Sequence, residues 1–368
     1  MPKLSYLGIN LHNSAPIICI NAKNVVPLQR KMGYCILMEQ HRIENYSGKQ
    51  RTVIKGVRVI KKRDYFVQEV TLTGDAPKRF VSIYDNNSPH TWRRKNKQRW
   101  TQYIAKTGHK WYPNESITEY LLNQLGAIFG INMAESGLVI INNQLRFLSK
   151  YFLNPQKEEL VHGAEIFAGY LQDTSIVEQI ERENMAQDMF TLQFVEKAIK
   201  KSFPKQADAI LHELVKLLIY DAFVGNNDRH YYNWAVIRPF SAKHEPYFSP
   251  VYDTARGLLW NMSDANLENK VHAPGKEAFI RKYCNQSKPK LGWEGEHQLN
   301  HFRLLELIYT NEFYITKQEI QELFNVRMLQ QMQEFVKSHF SIFYTPLRIE
   351  LINLCLEYRY NEIKKLLI

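Results

Sequence analysis

Hydrophobic periodicity in this chain changes once, near residue 152, and that change limits the folds open to it. Ahead of it the apolar residues alternate. YFVQEVTL at residues 65–72 and RFVSIY at residues 79–84 have the two-residue period and β-branched content of strands, and TGDAPK joins them. A further short strand is expected at residues 102–106. One helix is expected in this part, from a candidate N-cap at Asn114 through Ile117, Leu121, Leu125 and Ile128 to a stop at Gly130. Beyond residue 152 the spacing is helical. Residues 207–222 place Ile210, Leu214, Leu217 and Leu218 on one helix face, and the C-terminal segment also reads as helix. Strands first and helices afterwards predict an α+β chain in two lobes. On this reading residues 1–65 are a strand-rich extension without an assigned role, 66–150 form a strand-rich N-lobe, and 151–368 form an all-helical C-lobe.

With 45% hydrophobic and 12% aromatic residues, the 368-residue chain can fill a packed core. It has no run approaching the ~18 apolar residues that a membrane span requires. MPKLSYLGINLHN lacks the basic-then-apolar pattern of a signal peptide. The four cysteines (Cys19, Cys35, Cys284 and Cys355) are scattered, with no CxxC pair, so free thiols in a reducing cytoplasm are expected. The net charge of +11 is uneven: residues 1–110 carry 21 Lys/Arg against 6 Asp/Glu, and the rest carry 27 against 31. Such a field attracts nucleic acid, nucleotide phosphates or an acidic protein without choosing among them. Its densest cluster is Arg93, Arg94, Lys95, Lys97 and Arg99, flanked by Trp92 and Trp100. That cluster is either a solvated loop or a docking surface for an acidic protein or nucleic acid. No zinc, helix-turn-helix or RNP motif accompanies it.

The chemistry concentrates where the 207–222 helix ends. In GNNDRHYYN, Asp228 and Asn233 stand with four residues between them, the Asp-x-x-x-x-Asn spacing of kinase catalytic loops. There the Asp takes the acceptor proton and the Asn binds Mg²⁺. SPVYDTARG follows, and its Asp253 can share a hard cation with Asn233. Upstream, the hydroxyls, Gly74 and amides of TLTGDAPK (residues 71–78) can wrap phosphates. Lys106 ends the strand QYIAK, and Glu119 sits on the next helix, the pairing by which kinases orient the α- and β-phosphates. Each piece has an ordinary explanation: an Asx turn, a hairpin glycine, a surface ion pair. The order of all six, each on the expected kind of element, favours phosphoryl transfer.

VGNNDRHYYNW resembles the catalytic loop of the HipA-like kinases, the toxin kinases of HipBA-type modules, and PVYDTARG resembles that family's version of the DFG segment. TLTGDAPK is similar to its phosphate loop, with threonine in place of the usual serine. Recognisable motifs span residues 67–260. The resemblance implies a two-lobed protein-kinase-like fold and transfer from ATP, with Mg²⁺, to a Ser/Thr hydroxyl of a protein. Carried over by position, it makes Asp228 the base, Asn233 and Asp253 the metal ligands, and Lys106 with Glu119 the nucleotide pair. It places Thr73, Gly74, Asp75 and Lys78 over the triphosphate and Tyr252 beside the nucleotide. Ser149, Lys150 and Tyr151 fall in the hinge whose backbone reads adenine. His230 would donate a hydrogen bond near the γ-phosphate. Thr71, and less strongly Thr73, match the autophosphorylated serine, although the change to threonine puts that regulation in doubt. A DNA-binding antitoxin is the partner the resemblance suggests. Rival readings are a lipid or small-molecule kinase, which shares the Asp-Arg-His order, a nucleotide-binding pseudokinase, and a nucleic-acid-binding protein. No membrane-binding helix or lipidation signal supports the lipid reading.

Overall fold

Alternating side chains build the first part of the chain into a curled six-stranded sheet. The structure is a computed structural model and describes residues 54–68, 78–84, 95–108, 114–173, 175–183, 185–273 and 275–367. The strands are β1 (Arg58–Ile60), β2 (Tyr65–Gln68), β3 (Lys78–Ile83), β4 (Thr101–Lys106), β5 (Ser136–Ile141) and β6 (Gln144–Lys150), in the order β1-β5-β6-β4-β3-β2. All neighbours are antiparallel except β1 and β5. Among the described residues the first strand of this sheet is therefore β1, inside the segment 1–65 that the sequence set apart as an extension.

The two-residue period divides the side chains between two cores. Ile60, Val81, Ile83, Ala105, Val139, Ile141 and Leu148 form a small cluster on one face. Ile140 and Leu145 turn the other way, into the main core with Leu121, Leu122, Leu125 and Phe129 of the helix Glu115–Phe129. That helix starts at Asn114, whose carbonyl accepts from Thr118 N–H at 2.8 Å, although the Asn114 side chain makes no cap hydrogen bond. It ends at Gly130, whose φ of +88° is left-handed backbone that glycine adopts at no steric cost.

The second part packs around the helix Ala207–Val224, which is buried along most of its length against the helices Leu192–Ser202, His301–Asn311 and Pro346–Leu366. It stops at Gly225, at φ +68°, where an added Cβ would collide with the buried Arg359 guanidinium. The chain then enters the segment holding Asp228 and Asn233. The second part is not entirely helical. β7 (Glu158–His162), β8 (Ala235–Pro239) and β9 (Tyr247–Phe248) form a three-stranded antiparallel sheet. β7 pairs with β8 across more than seventy residues, so no local pattern announces the pairing. The short apolar run at residues 235–237 is the only trace of it in the sequence.

Candidate active site

Lys106 is the last residue of β4 and, with 5% exposure, is buried. Its Nζ donates to Glu119 Oε1 at 2.6 Å and to Asp253 Oδ1 at 2.8 Å. One ammonium thus joins the sheet, the helix packed on it, and the loop after β9. Burial alone would lower the Lys106 pKa, but Asp253 and Glu119 outweigh it and raise it. Burial likewise pushes the Asp253 carboxyl up, yet Lys106 overrides it and holds the group at about 2. Glu119 is the partner that gives way: burial lifts it to about 7 against the pull of Lys106. Lys78 opens β3 in register with Lys106 and lies near enough to Asp253 to favour its charge.

A buried arginine, Arg229, fastens the loop of Asp228 to the loop of Asp253. Its Nε donates to Asp221 Oδ2 at 2.8 Å and its Nη2 to Asp221 Oδ1 at 3.2 Å. The remaining donors reach Asn233 O at 2.8 Å, Tyr252 O at 3.1 Å and Thr254 Oγ1 at 2.6 Å. Asp221 lies in the last turn of the Ala207–Val224 helix and also accepts from Asn226 Nδ2 at 2.9 Å. Asp253 itself has φ +54°, a left-handed conformation uncommon for a residue with a Cβ.

Asn233 donates through Nδ2 to the backbone carbonyl of Asp228 at 2.7 Å, which leaves its Oδ1 as the metal-capable atom. Asp253 Oδ1 is engaged by Lys106, and its side chain is 35% exposed. An amide oxygen and an ionised carboxylate on facing loops suit a hard divalent cation that takes its other ligands from phosphate and water. Among the described residues no group of three His, Cys, Asp or Glu forms a metal cluster. The Asp228 carboxyl is raised by burial and pulled back by Arg256, whose Nη1 lies 3.3 Å from its Oδ1. His230 accepts at Nδ1 from the Tyr232 amide at 3.2 Å, which leaves Nε2 to carry the proton of the neutral ring. It lies near enough to both Asp228 and Asp253 to act on their charges.

The structure thus brings Lys78, Lys106, Glu119, Asp228, His230, Asn233, Tyr252 and Asp253 to one place. Tyr252 OH bonds His162 Nδ1 at 2.8 Å, and its ring lies 6.1 Å from that of Phe152. At the expected hinge the amides of Lys150 and Tyr151 already donate, to Glu135 O and Gln102 O, and the Lys150 ammonium turns outward to Glu135. What those two residues can offer a purine is therefore not an N–H. Ser149 is buried in β6, opposite Ile104. Thr71, Thr73, Gly74 and Asp75 lie outside the described residues, as do Arg93 and Arg94. Lys95, Lys97 and Arg99 are exposed, with Lys97 5.8 Å from the Phe66 ring centre. The motif reading passed over Asp221, Arg229 and Arg256. A signal for the first pair existed: a carboxylate inside LLIYDAFV needs a buried cation, and Arg229 is the next one along the chain.

Comparison with protein families matches residues 70–325 to the HipA-like C-terminal domain. The crystal structure of the Helicobacter pylori proinflammatory kinase CtkA superposes with a TM-score of 0.59 at 17% identity, covering 82% of this chain and 94% of that one. This likeness shows a kinase-like two-lobed fold. HipA of Shewanella oneidensis MR-1, in its complex with HipB and operator DNA, gives a TM-score of 0.46 at 10% identity, over 82% of this chain and 68% of that one. No curated protein sequence matches the chain.

Proposed function

The chain belongs to the HipA-like C-terminal domain family, and on that premise we propose that it transfers the γ-phosphoryl group of ATP, with Mg²⁺, to a Ser or Thr hydroxyl of a protein. The observation that carries this reading is the position of Lys106 Nζ, 2.6 Å from Glu119 and 2.8 Å from Asp253. That contact holds the strand lysine beside the helix glutamate, the pairing by which kinases orient the α- and β-phosphates, and brings Asp253 to the same point.

In this mechanism Asp228 accepts the proton of the attacking hydroxyl, which gives up its lone pair to phosphorus as the bond to the ADP leaving group breaks. Lys106 steadies the α- and β-phosphates while Glu119 holds it in place. His230 offers an Nε2–H toward the transferred group. Asn233 Oδ1 and Asp253 would hold Mg²⁺, which when bound neutralises charge on the phosphate oxygens. Arg229 keeps the two loops at a fixed separation, so little reorganisation is needed when substrate arrives.

Incubating the protein with labelled ATP and host lysate tests the proposal. The wild type should label one or a few proteins, and Asp228→Ala should label none. Equal labelling by both would remove Asp228 from the reaction. Label recovered only in lipid or small molecules would favour the rival acceptor class. Family membership also leads us to propose a DNA-binding partner protein. Co-purification with the product of an adjacent gene would test that. Among the described residues no helix is long and apolar enough to cross a membrane.

A further inference from the structure

Arg256 belongs to none of the kinase positions above, yet three parts of the site converge on it. Its Nη1 donates to Asp228 Oδ1 at 3.3 Å, and its Nε lies within ion-pair distance of Oδ2, also 3.3 Å, without a hydrogen bond there. The same Nε is 3.9 Å from Glu115 Oε1, in the first turn of the helix that carries Glu119. The guanidinium carbon sits 5.1 Å from the centre of the Trp260 ring, which restricts its plane. The backbone is fixed as well. Arg256 O accepts from the Asn227 amide at 3.1 Å. A Cβ added to Gly257 would come within 2.7 Å of Val224 O, so only glycine lets the chain approach this closely.

We propose that Arg256 is a positioning residue for Asp228, aiming its carboxylate at the acceptor hydroxyl and tying that aim to the helix of Glu119. The proposal rests on the phosphotransfer reading given above. A base that rotates about χ1 and χ2 presents its lone pair to the acceptor only part of the time. Among the described residues Arg256 is the one side-chain donor to the Asp228 carboxylate, and its hydrogen bond to one oxygen with its charge beside the other restricts how that group can turn. Contacts of 3.3 Å are longer than the roughly 2.7–2.9 Å of tight charged pairs, so an acceptor hydroxyl can take one oxygen while Arg256 keeps the other. Glu115 lies one helical turn before Glu119. A shift of the helix that breaks the Lys106–Glu119 bond would also draw Glu115 away from Arg256. Lysine and base thus depend on one helix position.

Two other roles for Arg256 make different predictions. A solvated ion pair would contribute little and tolerate neutralisation. A nucleotide ligand would weaken ATP binding when removed. The deciding experiment measures phosphoryl transfer from ATP to a mixed Ser/Thr peptide library by the full chain carrying Arg256→Gln, Arg256→Lys or Glu115→Gln. Analogue affinity from calorimetry and thermal unfolding are measured on the same proteins. Arg256→Gln should lower kcat roughly 10- to 100-fold, the scale of a misplaced catalytic group, with KM for ATP and analogue affinity unchanged. Arg256→Lys should recover part of the loss while folding normally, and Glu115→Gln should act in the same direction by less. Unchanged kcat in Arg256→Gln, or a fall matched by lost analogue affinity, would overturn the proposal. A wild type that binds the analogue but transfers nothing would overturn the kinase reading and this inference with it. Transfer that is abolished by Asp228→Ala but not reduced by Arg256→Gln would overturn the inference alone.

Discussion

Lys106 Nζ lies 2.8 Å from Asp253 Oδ1, although 147 residues separate them in the chain. The contact sets one buried ammonium between a buried carboxylate, Glu119, and a half-buried one, Asp253, so removing the cation leaves both acids without it. Lys106→Met should weaken binding of a non-hydrolysable ATP analogue by about 10- to 100-fold, the worth of one or two charge-assisted hydrogen bonds. Lys110→Ala, four residues on, should leave binding unchanged. Calorimetry on the two variants checks both statements. The stability cost should depend on pH with a definite sign. Lys106 holds Asp253 at about 2, below its ordinary 3.8, so the pair stabilises the fold above pH 3.8 and that contribution disappears as the pH falls toward 2. Urea unfolding should therefore separate wild type from variant most widely near neutrality and least in acid.

Asp228 has the opposite sign. Burial raises its pKa despite Arg256, so its ionised form is disfavoured in the fold. A base must be ionised, and transfer should fall with decreasing pH through a pKa above the usual aspartate value. Replacing the carboxylate with a neutral amide should cost activity and not stability. Asp228→Asn should lose at least about 100-fold in kcat, the lower end of what a general base contributes. Its melting temperature near neutral pH should equal or exceed that of the wild type. A pH–rate profile and a thermal melt test the two halves separately.

Asp253→Asn keeps the size of the side chain and removes the charge that Lys106 uses and that the proposed divalent cation would use. Transfer should be abolished at ordinary Mg²⁺ concentrations while the circular dichroism spectrum is retained. Turnover at the wild-type rate would take Asp253 out of the site. Asn233→Ala should act through the metal as well, and raising Mg²⁺ should restore part of its activity.

The residues proposed to carry the chemistry were legible because each occupies a short motif with a physical requirement behind its spacing. Asp228 and Asn233 need a loop that brings two side chains to one centre, and GNNDRHYYN shows it. Gly130 was legible as a helix stop because left-handed backbone favours glycine. What was illegible is non-local. The pairing of β7 with β8, the parallel partner β1 supplies to β5, and the reach of Arg256 to both Asp228 and Glu115 depend on chain segments that meet only in the fold. The Asp221–Arg229 pair lies between these cases, since a buried carboxylate in an apolar helix requires a cation but does not say which one.

Thr71 precedes Gly74 by three residues in TLTGDAPK, the segment expected to cover the triphosphate. If the segment covers the triphosphate as the resemblance implies, a phosphate on Thr71 would set nearly two negative charges beside another polyanion, and ATP binding should weaken. Threonine is a poorer fit than serine in a tight loop because its β-branch restricts χ1. Intact-mass spectrometry after incubation with Mg-ATP, followed by fragment mapping, should find one phosphate on Thr71 or Thr73. Its absence from a preparation that phosphorylates a substrate would end this idea.

The last expectation concerns Arg229, which touches no reacting group yet joins the two loops that carry them. Arg229 and Asp221 are both buried, with side-chain exposures of 2% and 1%. Removing either partner leaves the other charged and unpaired in the core, at a cost of about 3–5 kcal/mol. Arg229→Met should therefore unfold at distinctly lower urea concentration than the wild type, as should Asp221→Leu. The double variant replaces both charges with apolar groups, and such replacement often restores stability. Arg229 has a second task that methionine cannot perform. Its Nη1 and Nη2 hold Tyr252 O and Thr254 Oγ1, on either side of Asp253, and Nη1 also holds Asn233 O. The double variant should therefore recover much of the lost stability without recovering activity, because Asn233 and Asp253, the proposed metal ligands, are no longer held at a fixed separation. Recovery of both together would mean that the arginine only balances a buried charge and that the loops keep their places without it.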